Sequence, residues 1–495
     1  MSTDPLTLHT AAQVRAIDRQ AIDRLGIDGY ALMTRAGAAA HALLESVWPQ
    51  AQRVLVVCGS GNNAGDGYVL ARLARRARLD VVTVRLFDPA GLSGDAQRAW
   101  EDFAAEGGVA VPWDETLLAE TDLIVDAIFG TGLSRPVAGP IRSCIEAINA
   151  SALPVLALDV PSGLDADSGR VLGVAVRAAC CITFVGGKLG FYLGEGPDHT
   201  GRIVLDPLGL PPEASESIDC VAMLMSRAGI GAALPPRRAS AHKGDFGHVL
   251  VVGGGPGMPG AARLCGEGAL RAGAGRVTVA CAPQNVAAVV TERPELMCVG
   301  IERDRELEGL LERVDIVALG PGLGTEHWSH ALFERVIATE LPLVIDADAL
   351  NLLAREPRGR GDWVLTPHPG EAARLLECDT TRVQADRIGS ARELVDRFGG
   401  VVVLKGAGSL VVREGELPRI CGRGNPGMAG PGMGDVLTGV IAGIAAQSRD
   451  LWAAALAGVY VHALAGDRVA AARGARGLLA GDILDRLPEC LNDPT

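Results

Sequence analysis

Short apolar runs rich in β-branched residues alternate along this 495-residue chain with longer amphipathic segments. The runs end in clusters of Gly, Asp or Pro, as in residues 54–58 before 59–67 and in residues 249–252 before 253–260. Runs that are apolar on both faces are typical of parallel strands buried between layers of helices. The alternation therefore predicts an α/β fold, in which helices cover both faces of a parallel sheet.

The alternation occurs twice, on either side of a proline-rich stretch. Helices are predicted over residues 10–47, with Thr10 as the first N-cap. Strands are predicted at 54–58, 81–87, 123–128, 155–160 and 179–185, and again at 249–252, 277–280, 316–319, 343–345, 363–365 and 401–404. Residues 207–240 break the pattern with five prolines and one short strand near 219–225. We expect domains at 1–215 and 241–495, joined by a linker at 216–240.

Composition disfavours several functional classes. A net charge of −13 and an aromatic content of 4% argue against a nucleic-acid partner. The arginines at 72, 75, 76 and 78 fall at helix-face spacing, which we interpret as a solvated helix face. The 11 cysteines form no CxxC pair, which favours a reducing, cytoplasmic location. There is no secretory signal and no apolar run of about 18 residues, so no membrane association is expected.

The first half contains a loop dense in Gly, Asn and Asp, GSGNNAGDGYVLAR at residues 59–72. It lies between a predicted strand and a helix, where backbone amides can face an anionic ligand. The alternative is a tight Asn/Gly turn without a ligand. Three strand-end loops supply Asn63, Asp126 and Ser162, which could meet as oxygen ligands of an alkali cation. The alternative for Asp126 is a cap on the turn that follows its strand.

These loops, with DAIFGTGL, DVPSGLDADSG and LMTRAG, resemble the NAD(P)H-hydrate epimerase family over residues 8–210. The resemblance implies a Rossmann-like three-layer sandwich that binds hydrated NADH or NADPH and one potassium ion. It assigns Asn63, Asp126 and Ser162 to potassium. It assigns the hydrated nucleotide to Asn62, Asn63, Ala64, Gly65 and Asp66, to Gly130, Thr131, Gly132, Leu133, Ser134, Arg135 and Pro136, and to Asp159. Ala64 departs from the family, which usually has Gly there.

Hydration of the reduced nicotinamide ring creates a carbon that bears both a hydroxyl and the ring nitrogen. Inverting that carbon needs bond breaking with proton transfer, which a positioned carboxylate can assist. Our hypothesis is that Asp159 is this catalytic carboxylate, and the alternative is a capping or substrate-anchoring role. Lys188 either lies near the same pocket or is a surface lysine.

The second half contains NPGMAGPGMGDVLTGVIAG, residues 425–443. Two glycines precede Asp435 at the start of an apolar helix. Amides there can form an anion hole, and the aspartate can take a proton from a hydroxyl. The alternative is a glycine-rich helix start without chemistry.

This element, with HKGDFGHVLVVGG, MPGAARL, GPGLG, DADALN, TPHPGE and VLKGAGS, resembles the ADP- or ATP-dependent NAD(P)H-hydrate dehydratase family over residues 225–490. The resemblance implies a ribokinase-like α/β domain. It assigns the adenine nucleotide to Lys405, Gly406, Ala407, Gly408, Ser409 and Gly434, and the hydrated dinucleotide to Ala261, Gly322, His368 and Asp435. Gly430, Pro431 and Met433 depart from the family's usual residues. His368 could instead be satisfied by its own turn, and Lys405 could be a surface lysine.

The resemblance implies a bifunctional repair enzyme. The first half would interconvert the R and S hydrates, and the second would dehydrate the S hydrate with ADP, giving AMP and phosphate. Asp435 would be the catalytic base, and Mg²⁺ would accompany the nucleotide, whose phosphates supply most of its ligands. The expected small-molecule partners are hydrated NADH (NADHX), hydrated NADPH (NADPHX) and ADP (or ATP). We also expect a homo-oligomer. The alternative is a small-molecule kinase fused to a non-catalytic binding module.

Overall fold

The computed structural model describes residues 6–227, 231, 233–234, 236–291 and 293–492. The chain divides into two compact units. The first unit spans residues 7–222, and the second takes in the described residues from 223 onward together with Leu6. Each unit is described by itself.

The first unit is a parallel sheet with helices on both faces. Its strands are β1 (Thr7–His9), β2 (Arg53–Cys58), β3 (Asp80–Arg85), β4 (Ala110–Pro112), β5 (Leu123–Ala127), β6 (Val155–Leu158), β7 (Cys180–Phe184), β8 (Gly187–Lys188) and β9 (Arg202–Asp206). Its α-helices are α1 (Ala11–Asp23), α2 (Gly29–Val47), α3 (Asn62–Arg76), α4 (Gly94–Ala105), α5 (Gly139–Ala150) and α6 (Gly196–Thr200). Short 3₁₀ helices cover Pro89–Gly91, Glu115–Glu120, Leu189–Tyr192 and Pro212–Ala214.

Seven of these strands form one sheet in the order β4-β3-β2-β5-β6-β7-β9, and every pairing is parallel. β1 pairs in parallel with β8. In the register, Asp126 of β5 is level with Val57 of β2 and Ala157 of β6. Asp126 therefore lies one residue from the carboxyl end of a central strand, where ligands of such sheets bind.

Helices α2, α3 and α4 pack on one face of this sheet, and α5 packs on the other. Because both faces are covered, the central strands are buried along nearly their whole length and are mostly apolar, as the sequence pattern predicted. Thr10 caps α1 through a reciprocal capping box with Gln13, which confirms the predicted N-cap.

The second unit is built on a larger sheet. Its strands are β10 (Ala222–Leu224), β11 (His248–Val252), β12 (Arg276–Cys281), β13 (Met297–Gly300), β14 (Ile316–Leu319), β15 (Leu343–Ile345), β16 (Trp363–Leu365), β17 (Val401–Leu404), β18 (Leu410–Arg413) and β19 (Arg419–Ile420). Their order is β13-β12-β11-β14-β15-β16-β17-β18-β19-β10, and only β18 runs antiparallel to its neighbours among these described strands.

The helices of the second unit cover both faces of its sheet. They are α7 (Pro259–Arg271), α8 (Val286–Val290), α9 (Glu308–Leu311), α10 (His327–Ile337), α11 (Ala347–Arg355), α12 (Pro369–Leu375), α13 (Thr380–Ala385), α14 (Arg387–Phe398), α15 (Met433–Ser448), α16 (Leu451–Arg473) and α17 (Ala480–Asn492). Short 3₁₀ helices cover Lys243–Phe246, Pro283–Asn285, Asp304–Leu307 and Pro426–Met428. Helices α15 and α16 are apolar nearly all round because the core encloses them.

The predicted linker, 216–240, contains β10, close to the strand predicted near 219–225. Its residues 228–230, 232 and 235 lie outside the described residues, and the predicted domain bounds stay a prediction. Among the described helices, none combines the length and apolarity that a membrane span requires.

Candidate active sites

A cavity of about 630 Å³ opens at the carboxyl ends of β2, β5, β6 and β7 in the first unit. The loops that follow these strands line it, together with residues from α1 and α2. One side is the start of α3, whose first-turn N–H groups have no partner within the helix. Such a helix start attracts an anionic group, which suits a nucleotide phosphate.

Asn63 lies in this first turn and lines the cavity. Its side chain is buried, yet its carboxamide oxygen and nitrogen have no hydrogen-bond partner in the described part of the chain. Burying both groups unpaired is costly, which points to a ligand. A Cβ on Gly130 would lie 3.1 Å from Asp159 Oδ2 and 3.6 Å from Asn63 Cβ. The glycine thus lets its loop approach both residues.

Asp126 and Ser162 form a fully buried pair. The Ser162 hydroxyl donates to Asp126 Oδ1 over 2.6 Å, and the Ser162 backbone N–H donates to Oδ2 over 2.8 Å. Asp126 also accepts the N–H of Ile128, which is the turn-capping alternative raised by the sequence. Burial raises the pKa of Asp126 to about 6, although the hydrogen bonds from Ser162 and Ile128 oppose the shift.

Asp159 is paired with a buried lysine. The Lys188 ammonium lies 2.8 Å from Asp159 Oδ1 and donates to the carbonyl of Phe184 over 2.7 Å. Lys188 is 0% exposed, so it is not the surface lysine that the sequence allowed, whereas Asp159 is 17% exposed and lines the cavity. Asp159 adopts a φ of +61°, which is uncommon for a residue with a side chain. Strain of this kind often accompanies functional residues.

Three further acids line the cavity, Asp18, Asp66 and Asp95, and sequence reasoning gave a role only to Asp66. Burial raises the pKa of Asp66 well above its usual value, and the charges of Asp159 and Asp18 add to the shift. Asp18 belongs to α1, one turn after Arg15, which donates to the carbonyl of Thr131 over 2.8 Å. An acid at helical spacing is usually a solvated one, so the sequence held no signal for Asp18.

The structure brings most of the predicted substrate residues of the first unit to this cavity. Those that line it are Asn62, Asn63, Asp66, Gly130, Thr131, Gly132, Leu133, Ser134, Arg135 and Asp159. Ala64, Gly65 and Pro136 are not among the lining residues. Ala64 is fully buried on α3, and a Cβ on Gly65 would lie 2.5 Å from the sulfur of Met33. These two residues pack α3 against its neighbours.

The second site forms where four parallel strands of the second unit end. Leu319, Ile345 and Leu365 are level with one another at the ends of β14, β15 and β16. The residues after them therefore share one edge of the sheet, and Lys405 follows β17 at the same edge.

Asp346 and Lys405 form the central ion pair of this site. The Lys405 ammonium lies 2.6 Å from Asp346 Oδ1, and Thr438 donates to Oδ2 over 2.8 Å. Burial acts to raise the pKa of Asp346, but Lys405 outweighs it and the net shift is downward. Burial acts to lower the pKa of Lys405, but Asp346 and Glu371 make the net shift upward. Lys405 is thus not a mere surface lysine.

Glu371 and His368 cap helix α12 reciprocally. His368 Nδ1 accepts the N–H groups of Gly370 and Glu371, and Glu371 accepts the N–H of His368 over 2.7 Å. The turn therefore satisfies Nδ1 of the ring, as the alternative held. The ring is exposed, and Nε2, which lies 3.4 Å from Glu371 Oε1, can bond to another partner. Burial, with help from Lys405 and Arg374, lowers the pKa of His368. Burial raises the pKa of Glu371 to about 7, although Lys405 opposes the shift.

Asp435 lies in the first turn of α15, with its side chain half-buried. Gly432, the N-cap, has a left-handed φ of +84°, which turns the chain into the helix. A Cβ on Gly434 would lie 3.1 Å from Lys405 Nζ, so the start of α15 adjoins the central ion pair. Burial raises the pKa of Asp435 to about 6, Asp346 adds to the shift and Lys405 opposes it.

The predicted nucleotide loop, Lys405 to Ser409, turns through two glycines of positive φ. A residue that the sequence did not single out supports it: Arg387 is 4% exposed and donates to the carbonyls of Leu404, Lys405 and Gly408 over 3.2–3.4 Å. Burial lowers the pKa of Arg387 to about 10. In the sequence, Arg387 lies on a helix at a spacing that is equally typical of a solvated arginine.

Two of the predicted dinucleotide contacts are neighbours. Gly322 has a φ of +59°, and a Cβ there would lie 3.0 Å from the Ala261 Cβ and 2.9 Å from the carbonyl of Met258. A hydrogen bond joins the GPGLG loop to the start of α11, because Gly324 donates its N–H to Asp348 over 2.8 Å. Small residues thus keep the start of α7 against this loop.

Family models match both units. A model described as NAD(P)H-hydrate dehydratase matches residues 249–489, and one described as YjeF-related protein N-terminus matches residues 29–190. Among solved structures, the chain resembles a ribokinase-like superfamily protein from Enterococcus faecalis, with 28% identity and a TM-score of 0.51. The match covers 54% of this chain and 95% of that protein. The predicted fold class of two α/β domains is confirmed.

Full-length relatives match both halves together. The chain is 45% identical over 485 residues to a bifunctional NAD(P)H-hydrate repair enzyme from Coxiella burnetii, covering 98% of this chain and 99% of that enzyme. It is 41% identical over 492 residues to a bifunctional NAD(P)H-hydrate repair enzyme from Escherichia coli, covering 99% of this chain and 94% of that enzyme. The chain therefore belongs to the family of bifunctional NAD(P)H-hydrate repair enzymes.

Proposed function

We propose that the first unit interconverts the R and S hydrates of NADH and NADPH and that the second unit dehydrates the S hydrate with ADP, giving AMP and phosphate. The observation that supports the dehydratase most directly is the position of Asp435 at the start of α15, next to the Asp346–Lys405 pair. A half-buried carboxylate beside free helix-start amides suits proton abstraction coupled to phosphoryl transfer.

Hydroxide is a poor leaving group, so the ring hydroxyl is first phosphorylated. Asp435 takes the hydroxyl proton while the oxygen attacks the terminal phosphorus of ADP, and the bond to AMP breaks. The first-turn amides of α15 and the ammonium of Lys405 stabilise the charge on the transferring group. The ring nitrogen's lone pair then expels phosphate, and loss of a proton from the adjacent carbon restores the dihydronicotinamide.

The nucleotide and magnesium fit the charges of the second site. The loop from Lys405 to Ser409 would hold ADP, with Arg387 supporting its carbonyls. The carboxyl groups of Asp346, Glu371 and Asp435 act on the ammonium of Lys405, and that of Asp348 acts on Asp435. This excess of acid suits a divalent cation, which would bind mainly through phosphate oxygens and supply positive charge to the transfer.

In the first unit, the substrate's phosphates would bind at the start of α3, and its hydrated ring would reach Asp159. The Lys188 ion pair holds the Asp159 carboxyl group in place, so that it can act on a proton of the reacting carbon's oxygen.

The three residues that the resemblance assigns to potassium have the oxygen chemistry that such an ion needs. Asn63 offers a buried carboxamide oxygen without a partner among the described residues, and Asp126 and Ser162 offer further oxygens. When bound, the cation supplies positive charge near the nucleotide.

We also infer a cytoplasmic enzyme, since its eleven cysteines are free thiols, and a homo-oligomer stays a prediction.

The experiment is incubation of the full-length chain with mixed hydrate epimers of NADH and with ADP or ATP. We expect the absorbance of the dihydronicotinamide to return for both epimers, with stoichiometric AMP and phosphate when ADP is the donor. A stable phosphorylated product without regenerated NADH would instead indicate a small-molecule kinase. If the epimers do not interconvert in the absence of nucleotide, the first unit is a binding module without epimerase activity.

A further inference from the structure

The proposed function assigns no role to Asp18, an acidic residue of the first unit. It lies on α1 and lines the same cavity as Asp159. Its half-buried carboxyl group makes no hydrogen bond or ion pair with any other residue that the structure describes. A carboxyl group without a protein partner inside a ligand cavity keeps all its bonding capacity for the ligand.

Helix α1 is anchored beside the catalytic carboxylate. Arg15, one turn before Asp18, donates to the carbonyl of Thr131 over 2.8 Å. The neighbouring Gly130 lies so close to Asp159 that a Cβ there would be 3.1 Å from Oδ2. Arg15 and Asp18 are three residues apart and share one face of the helix. The contact with Thr131 therefore holds Asp18 over the cavity that Asp159 also faces.

The two carboxyl groups differ in their surroundings. The charged groups that act on Asp18 are Lys188, Asp159 and Asp66; Arg15 lies on the same helix, and Asp95 and Arg135 line the same cavity. Lys188 is already paired with Asp159 over 2.8 Å. Burial raises the pKa of Asp18 to about 6, Lys188 opposes the shift and Asp159 adds to it. Asp18 thus lacks the lysine partner that Asp159 has, and unequal surroundings of neighbouring carboxyl groups are a recurring feature of acid–base pairs.

We propose that Asp18 is a second catalytic residue of the epimerisation, the acid that acts on one face of the ring while Asp159 acts as the base on the other. This inference rests on the proposed function of the first unit. The C–O bond breaks as the ring nitrogen's lone pair forms a C=N bond, and Asp18 gives its proton to the departing hydroxyl, which leaves as water. Asp159 takes a proton from a water that adds to the opposite face, and the electron pair returns to nitrogen. The reverse reaction uses the two groups in exchanged roles, and proton exchange with solvent resets them.

The test uses the full-length chain without nucleotide and one purified epimer of hydrated NADH, with the two epimers separated by chromatography. Asp18→Asn keeps the shape of the side chain and removes the acid, so we expect interconversion to slow by about 100-fold or more. Asp23→Asn, an exposed position on the same helix, is the matched control and should keep the wild-type rate. Hydrogen exchange of the first unit should be the same in all three proteins.

Two readouts separate catalysis from a structural role. The wild-type rate should fall above about pH 6 as the acid loses its proton, and this limb should be missing in Asp18→Asn. In ¹⁸O-labelled water, each inverted product of the wild-type enzyme should carry one solvent oxygen, because the C–O bond breaks.

Asp18→Asn at the wild-type rate, a slow variant that keeps the limb, or inversion that retains the original oxygen would overturn the inference. The first two outcomes leave the epimerase function intact. If the wild-type chain itself does not interconvert the epimers, the proposed function of the unit fails.

Discussion

Each unit has an aspartate paired with a lysine just past the end of a parallel strand, and the two pairs differ in which acid does the chemistry. In the first unit, Lys188 pairs with Asp159, the proposed catalytic carboxylate itself. In the second unit, Lys405 pairs with Asp346, while the proposed base, Asp435, lies nearby without an ion pair among the described residues. A lysine can thus hold a reacting acid in place, or it can pair with a second acid while the reacting acid keeps a raised pKa.

The largest expected effect separates the two sites. Asp435→Asn removes the base but preserves shape, so dehydration of the S hydrate should slow by about 1,000-fold. Epimerisation by the same protein should be unchanged, which makes it the internal control. The readouts are NADH absorbance with ADP and epimer chromatography without it. Equal losses in both activities would contradict the independence of the two sites.

The second prediction compares the two lysines. Asp346 is 1% exposed, so Lys405→Met leaves a buried charge and should destabilise the second unit by about 3–5 kcal/mol. Asp159 is 17% exposed and borders the cavity, so Lys188→Met should cost the first unit only about 1–3 kcal/mol. Hydrogen exchange followed by mass spectrometry resolves the units. Equal losses of stability in the two units would contradict this difference. Partial recovery of stability in Lys405→Met/Asp346→Leu would show that the unpaired charge of Asp346 causes the loss in the second unit.

The third prediction concerns pH. Asp435 must be ionised to take a proton, and its pKa is raised to about 6. The kcat/KM for dehydration should therefore fall about tenfold for each pH unit below about 6 and level off above it. The measurement is a pH–rate profile with saturating ADP, with unfolding monitored at each pH. A profile that is flat from pH 5 to 7 would argue against Asp435 as the base.

The smallest effect tests the helix that holds Asp18. Thr10→Ala removes the N-cap of α1 and should cost about 1 kcal/mol. Thr10→Ser, which keeps the hydroxyl, is the control. Hydrogen exchange of α1 should rise in the first variant only. An effect confined to α1, with no change in dehydration, would support the separate treatment of the two units.

The sequence was most informative where strands are apolar on both faces. Runs such as residues 54–58 and 316–319 match strands closely, because burial between helices leaves no polar alternation. Short or half-exposed strands, such as Arg202–Asp206 and Leu410–Arg413, were missed. The strand at 202–206 is only partly buried, and the strand at 410–413 follows a glycine turn as an antiparallel partner. In both cases the apolar pattern that predicts a buried parallel strand is weak.

The same contrast holds for functional residues. Those at strand ends could be predicted, since the carboxyl edge of a parallel sheet collects them in one place. Asp18 and Arg387 could not, because each lies on a helix at a spacing that a solvated charge also satisfies. Only tertiary packing shows that one faces a cavity and the other supports a loop.

Isotope transfer shows whether the ring hydroxyl leaves as part of phosphate. The S hydrate of NADH would be prepared with ¹⁸O in the ring hydroxyl and turned over once with ADP, using Asp159→Asn to limit exchange by epimerisation. We expect the label to appear in inorganic phosphate. Label found in water, with unlabelled phosphate, would show that dehydration proceeds without phosphorylation of the ring and would contradict this expectation.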